Sequence, residues 1–287
     1  MKPPPFAYLR PASLDDALEQ LAQHGEDCKV LAGGQSLVPL LNMRLARPAA
    51  LLDINRIGGL DEIALENGTL RVGALARQAD LEQRSEVAAA VPLLARALPY
   101  VGHAQTRNRG TVCGSLAHAD PSAELPLVAV ALGAHVEARS KRGARRIAAR
   151  ELFASYFTTT LEPGEIIVSA TFPAVQSGWG YAFEEFAERH GDFAIVATAC
   201  ALRVDAQGAL AELRLAIGGV DERPVQAQTQ RYAGRALDAT AIGEIAADVS
   251  RALEPPSDRR GSAGYRHFLC RSQVARVIAR ALDEARA

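Results

Sequence analysis

The sequence predicts a mixed fold of the α+β or α/β class, built as two domains that meet near residue 175. Three observations carry this expectation. Strand-like apolar runs ending in glycine alternate with stretches of helical spacing through the first 175 residues. Beyond residue 195, two long strand-like runs joined by a turn give way to helical patterns only. Between these regions VQSGWG, residues 175–180, has the composition of a linker or a tight crossing. A chain of 287 residues is long enough to bury a large core and to divide.

Ser13 is placed to cap a first helix, with Asp16 three residues on and Ala17, Leu18 and Leu21 on its apolar face. KVLAGG reads as a short buried strand running into a double glycine, and LVPLLNMRL restores helical spacing after it. ALLDINRI, residues 50–57, reads as another strand, and TLRVGALARQADLEQ repeats the strand–glycine–helix order with Ala79 and Leu81 inward. TRNRGTVCGSLAHADPSAELP, residues 106–126, is too rich in glycine, proline and polar residues for a regular element and reads as a loop. LPLVAVALGA follows as a buried helix, HVEARSKRGARRIAA as a hairpin around Gly143, and GEIIVSATFP as a strand closed by Pro173. Past the linker, AIVATACALRVDAQGALAELRLAIGGV gives two strands joined at Asp205 to Gly208. Helices close the chain, the last with Val274, Val277 and Ile278 in one stripe.

Hydrophobic residues at 48% and charged residues at 23% are those of an ordinary soluble globular protein. A net charge of −1 removes the electrostatic case for nucleic acid. The densest basic segment, Arg139 to Arg150, is interrupted by Gly143 and alanines and reads as a solvated hairpin tip. The N-terminus MKPPPFAYLRP lacks a signal-peptide core, and no apolar run approaches the ~20 residues of a membrane span, so a cytoplasmic location without a span is expected. Cys28, Cys113, Cys200 and Cys270 are scattered without a CxxC pair, which argues against disulfides, zinc and an iron–sulfur cluster in this chain.

AGGQS, residues 32–36, is either a tight turn or a place where backbone N–H groups close on an anion, because glycine offers no Cβ to block the approach. It is neither a dinucleotide-fold fingerprint nor a P-loop. GTVCGS adds a second glycine turn with Thr111 and Ser115 as hydroxyl groups, and two such turns are able to clamp a diphosphate. Asp120 and Glu124 then offer acceptors to a ribose or a ring N–H. Cys113 with His118 is conceivable as a nucleophile pair, and His118 with Asp120 and Glu124 as a metal site, though the spacing fits no common ligand pattern. FEEFAERHGDFAIV reads as solvated charges ahead of a strand.

AGGQSLVPLLNMRLARP, TRNRGTVCGSLAHADPSAELP, LEPGEIIVSATFP and FAERHGDFAIV resemble, in order and spacing, the FAD-binding medium subunits of molybdenum hydroxylases. That family includes the carbon monoxide dehydrogenase medium subunit and the flavin domain of xanthine dehydrogenase. The resemblance covers essentially the whole chain. It implies an α+β protein with an FAD-binding domain over 1–175, of two PCMH-type subdomains (about 1–57 and 58–175), and a C-terminal domain over 178–287. It further implies that Val30, Leu31, Ala32, Gly33, Gly34, Gln35, Ser36 and Leu37 wrap the FAD diphosphate. Thr111, Val112, Cys113, Gly114 and Ser115 would form a second cradle. Val101 and Gly102 would lie beside the flavin or its chain, Asp120 and Glu124 would accept from the cofactor, and Ile167 would pack on it. Arg189 and Asp192 match the family's segment near the isoalloxazine. Two departures stand out: Cys113 and Ser115 replace a glycine and an amide of the family's second motif, and Glu184 and Glu185 stand where relatives can place a lysine near the flavin.

The resemblance thus implies an oxidoreductase subunit that passes electrons through FAD to an external acceptor. Its implied partners are a small subunit with two [2Fe–2S] clusters and a large molybdopterin subunit, assembled as a dimer of heterotrimers. No side chain is expected to act as acid, base or nucleophile. The rival readings are a stand-alone flavin oxidoreductase, with its own acid–base residue, and a non-catalytic nucleotide-binding scaffold.

Overall fold

The computed structural model describes residues 2–287 and arranges them around three sheets. The first part contains β1 (Ala7–Leu9), α1 (Leu14–His24), β2 (Cys28–Leu31), α2 (Leu37–Asn42) and β3 (Ala50–Asp53). Its strands run parallel in the order β1-β3-β2, so Ala50 lies beside both Ala7 and Cys28. Ser13 caps α1, its Oγ accepting from the Asp16 N–H at 3.1 Å, and Asp16 reaches back to accept from the Ala12 N–H at 3.0 Å.

The second part holds β4 (Ile63–Glu66), β5 (Thr69–Gly73), α3 (Gln78–Gln83), α4 (Ser85–Ala90), α5 (Pro92–Ala97), α6 (Ala104–Arg107), α7 (Val112–His118) and α8 (Glu124–Leu132). It continues with β6 (His135–Ser140), β7 (Gly143–Ala148), α9 (Ala149–Leu152), the small hairpin β8 (Phe153–Ser155) and β9 (Thr158–Thr159), and β10 (Ile166–Pro173). An antiparallel sheet forms in the order β4-β5-β10-β6-β7. Alternation sends Leu70, Val72, Ala170 and Phe172 inward, where α7 and α8 cover β10. The opposite face carries an open cleft of about 390 Å³ between Arg71, His135 and Arg146.

The third part comprises β11 (Trp179–Phe186), β12 (Val196–Val204), β13 (Leu210–Gly218), β14 (Val225–Gln226), α10 (Ala239–Arg251) and α11 (Ala263–Ala285). Its antiparallel sheet runs β11-β12-β13-β14, with α11 laid across β11 and β12. A Cβ at Gly180 would come within 1.9 Å of the Ala281 carbonyl oxygen, so the α11 backbone rests directly on β11 there. The α8 helix is buried on every side because it lies between β10 of the second sheet and β12 and β13 of the third.

The 106–126 segment departs from the loop expected of it. It contains the end of α6, the whole of α7 and the start of α8. Thr111 is the reason α7 forms: its Oγ1 accepts from the Gly114 N–H at 3.0 Å, and Val112, Cys113 and Leu116 then turn into the core. β3 also stops at Asp53, short of the strand expected to reach residue 57. The basic hairpin is solvated as expected, with Arg142 paired to Glu162 at 2.7 Å and Arg145 to Glu165 at 2.6 Å. Among the described residues, no helix is long and apolar enough to cross a membrane.

Candidate functional site

The first glycine loop, Ala32 to Ser36, leaves the C-terminal end of β2 and turns into α2. Gly34 sits at φ +75°, a conformation that L side chains rarely adopt. The Val38 N–H donates to the Gly34 carbonyl at 3.0 Å, closing the turn. The N–H groups of Gly33, Gly34, Gln35 and Ser36 find no acceptor among the described residues. Gly33, Gly34 and Ser36 are half-buried and Gln35 is exposed, so this row of donors lies on an accessible part of the loop.

The second glycine loop meets the first through its backbone. A Cβ at Gly33 would lie 2.4 Å from the Arg109 carbonyl oxygen and 2.9 Å from the Gly110 Cα. Gly110 is pinned in turn, its carbonyl accepting from the Gln78 N–H at 2.9 Å. Two side chains hold the loops from behind. Asn55 Nδ2 donates to the Ala32 carbonyl at 2.8 Å, and Arg77 bridges Asn55 Oδ1 at 2.7 Å and the Arg109 carbonyl at 2.6 Å. A third segment closes on the same region. Gly191, at φ +85°, would drive a Cβ to 2.6 Å from the His103 ring and 2.9 Å from the Gly102 carbonyl, so residues 188–192 lie against residues 101–103.

Three carboxyls gather at the seam between the second and third sheets. Asp120 is 8% exposed and Glu124 4% exposed. Burial, reinforced by the nearby Asp120 charge, pushes Glu124 up to about 7, although hydrogen bonding to its own N–H opposes the shift. Burial also raises Asp120, against the Ser122 N–H that donates to its Oδ1 at 2.8 Å. Glu185 on β11 is pushed up to about 8 by burial and by the Glu124 charge, and its Oε2 is buried without a hydrogen-bond partner. The Gly219 N–H donates to the Pro121 carbonyl at 3.0 Å, tying this corner together.

The structure brings some of the expected site residues together and sets others apart. Gly33, Gly34, Gln35 and Ser36 form the open loop, while Val30 and Leu31 end β2 and Leu37 begins α2. Gly114 and Ser115 are half-buried on α7, but Val112 and Cys113 point into the core and present only backbone. Thr111 caps α7, its buried hydroxyl oxygen accepting from the Gly114 N–H. Gly102 and His103 lie against Gly191, in the segment that carries Arg189 and Asp192, which pair with each other at 3.0 Å, while Val101 is buried just before them. Ile167, 5% exposed, belongs to the core of β10.

A Cys113–His118 pair is not formed. Burial pushes the Cys113 thiol up to about 12, where it donates to the Val72 carbonyl at 3.6 Å, while His118 packs against Phe157 with ring centroids 5.2 Å apart. No cluster of three metal-ligating side chains occurs among the described residues. Glu184 is an ion-pair partner of Arg276 and Arg280 on α11, and Glu185 is not the solvated charge expected of it. The period-2 spacing of Phe183 and Glu185 on one strand was the available signal, since Phe183 is buried on that face.

A row of unsatisfied N–H groups on a glycine loop, closed by a second backbone, suits a protein that grips an anionic nucleotide cofactor. These residues fit FAD, whose diphosphate needs such donors and whose ring and ribose carry polar groups for the carboxyls. The family described as "FAD binding domain in molybdopterin dehydrogenase" matches residues 4–175, and "CO dehydrogenase flavoprotein C-terminal domain" matches residues 181–281. The chain is 42% identical over 288 residues to the 6-hydroxypseudooxynicotine dehydrogenase complex subunit alpha of Paenarthrobacter nicotinovorans, covering 100% of this chain and 97% of that one. Among solved structures, quinoline 2-oxidoreductase from Pseudomonas putida 86 superposes with a TM-score of 0.93 at 38% identity, covering 99% of both chains. Carbon monoxide dehydrogenase from Hydrogenophaga pseudoflava gives a TM-score of 0.94 at 34% identity, covering 98% of both. The chain belongs to the FAD-binding medium-subunit family of the molybdenum hydroxylases.

Proposed function

We propose that this chain is the FAD-carrying electron-transfer subunit of a cytoplasmic molybdenum hydroxylase or dehydrogenase complex. Its partners are a small subunit with two [2Fe–2S] clusters and a large molybdopterin subunit, in a dimer of heterotrimers. The observation that carries the reading is the backbone contact between the two glycine loops, with the Gly33 to Ser36 N–H groups unsatisfied beside it. When bound, FAD supplies the redox step that links the partner's clusters to an external acceptor.

In this reading Gly33, Gly34, Gln35 and Ser36 donate to the diphosphate from one side, and Gly114 and Ser115 contribute from the other. Val101, Gly102 and the Arg189–Asp192 segment enclose the ring end. Glu124, pushed up to about 7 by burial, is partly protonated near neutral pH and presents an O–H donor as well as acceptors to the cofactor, and Asp120, also raised by burial, stands beside it as a further polar partner. The division into a flavin-binding domain over 1–175, with subdomains about 1–57 and 58–175, and a C-terminal domain over 178–287 is supported by the separate sheets on either side of Trp179. Relatives named for carbon monoxide, for caffeine and for a nicotine derivative share this fold, so substrate choice is assigned to the large partner.

The test is to purify the chain alone and together with its partner chains, and to add candidate reductants anaerobically. The flavin should be bleached by substrate only in the complex. A chain that oxidises a small substrate by itself would make it a stand-alone flavin enzyme. Protein that carries no FAD in either form would remove both enzyme readings and leave the scaffold.

A further inference from the structure

We propose that Asn55 and Arg77 are positioning residues of the cofactor site, locking the two glycine loops in register while Arg77 supplies the positive charge that draws the diphosphate between them. The proposal rests on the reading of the glycine loops as a diphosphate cradle. The Arg109 carbonyl is where the geometry converges. It is the atom that leaves no room for a side chain at Gly33, and it is also the acceptor of Arg77 Nη1 at 2.6 Å. The other arm of Arg77, Nη2, donates to Asn55 Oδ1 at 2.7 Å, and Asn55 Nδ2 continues to the Ala32 carbonyl at 2.8 Å. One unbroken chain of hydrogen bonds therefore runs from the first loop, through two side chains, to the second. Asn55 is itself fixed by Asp53, whose Oδ1 accepts from Asn55 N at 2.9 Å and from Nδ2 at 2.6 Å. Only a two-pronged planar donor spans acceptors set this way, which selects arginine over lysine at position 77.

Charge supplies the second half of the argument. Arg77 is half-buried, and both of its hydrogen-bond partners are neutral oxygens. Neither Arg77 nor Arg109 makes an ion pair among the described residues. Burial, and then the Arg109 charge, depress Arg77 below the ordinary arginine value, while Asp80, Asp53 and Asp61 oppose the shift without touching it. A desolvated cation next to a second cation is costly unless an anion completes it. The first loop, which Arg77 braces through Asn55, carries a row of free N–H groups open to such an anion.

The experiment is a titration of the flavin-free full chain with FAD, read by quenching of flavin fluorescence, at low and at high salt. Arg77→Met should weaken FAD binding about tenfold at low salt, the scale of one removed charge at several ångströms in a partly buried site. It should also lose most of the salt dependence that the unaltered protein shows. Arg77→Lys should recover the salt dependence with only part of the affinity, and Asn55→Ala should weaken binding with the salt dependence intact. Fluorescence of Trp179, the chain's one tryptophan, reports whether the C-terminal sheet has folded in each variant. FAD affinity unchanged in Arg77→Met, or lost equally at both salts and not recovered by lysine, would overturn the proposal while leaving the cradle in place. Unaltered protein that takes up no FAD would overturn the cradle reading itself and this inference with it.

Discussion

Replacing Gly33 with alanine should separate cofactor binding from folding. The added methyl carbon would sit 2.4 Å from the Arg109 carbonyl oxygen, against an ordinary contact of 3.4 Å, so the two loops must part by about 1 Å. Both clashing atoms are backbone and cannot rotate away. The Arg77–Arg109 hydrogen bond, 2.6 Å long, must then follow the displaced loop or break. Forced overpacking of this kind costs about 1–3 kcal/mol, which corresponds to roughly five- to 150-fold in FAD affinity if the cost falls on the bound geometry. Gly34→Ala is the contrast: its nearest neighbours are the Leu31 and Val38 side chains at 3.2 and 3.3 Å, which yield, so its penalty comes from the φ of +75°. FAD titration gives the affinity, and the thermal transition followed by Trp179 fluorescence checks the C-terminal sheet. A Gly33→Ala protein with undiminished FAD affinity would refute the loop apposition as the basis of the site.

The remaining predictions concern titration, thiol chemistry and helix stability. Glu124 and Glu185 hold their protons up to about 7 and 8, while the unfolded chain releases them near 4.5. Between those limits the folded state binds more protons than the unfolded one, so this contribution is full below 4.5 and is lost as pH rises toward 8. The melting temperature of flavin-free protein should therefore fall across that window more steeply than in Glu185→Gln, and identical slopes would contradict the burial assigned to Glu185. Cys28, Cys113, Cys200 and Cys270 are all buried with raised thiol values, so a thiol reagent at mildly alkaline pH should label the protein only after denaturation. Gly243→Ala, in the interior of α10 with open space around its Cβ position, should raise stability by about 0.5–1 kcal/mol in denaturant unfolding.

What was legible in the sequence was whatever is encoded locally. Ser13 and Asp16 announced α1, the double glycine announced the first loop, and the Gly143 and Asp205–Gly208 turns announced their hairpins. The α7 helix was hidden because Gly110 and Gly114 look like loop formers. Gly110 instead lies against the Gln78 side chain, and Gly114 packs on the Thr111 hydroxyl that caps the helix. The resemblance to the flavoprotein family named the cradle residues but not what braces them. Arg77 reaches Asn55 across 22 residues and Arg109 across 32, and no periodicity or spacing rule connects such positions. Glu185 escaped for a related reason: it follows Glu184, which is held by two arginines, and only the packing of β11 separates their environments. Cys113, conspicuous beside a glycine motif, proved to be a core side chain.

The most direct test of the account is a crystal structure of the flavin-loaded protein, read for the position of the diphosphate. The phosphates are expected within hydrogen-bond distance of the Gly33 to Ser36 N–H groups, facing Gly114 and Ser115, with Arg77 behind the contact and the ring end toward residues 101–102 and 189–192. Diphosphate density anywhere else, such as the cleft between Arg71, His135 and Arg146 on the far face of the second sheet, would contradict it.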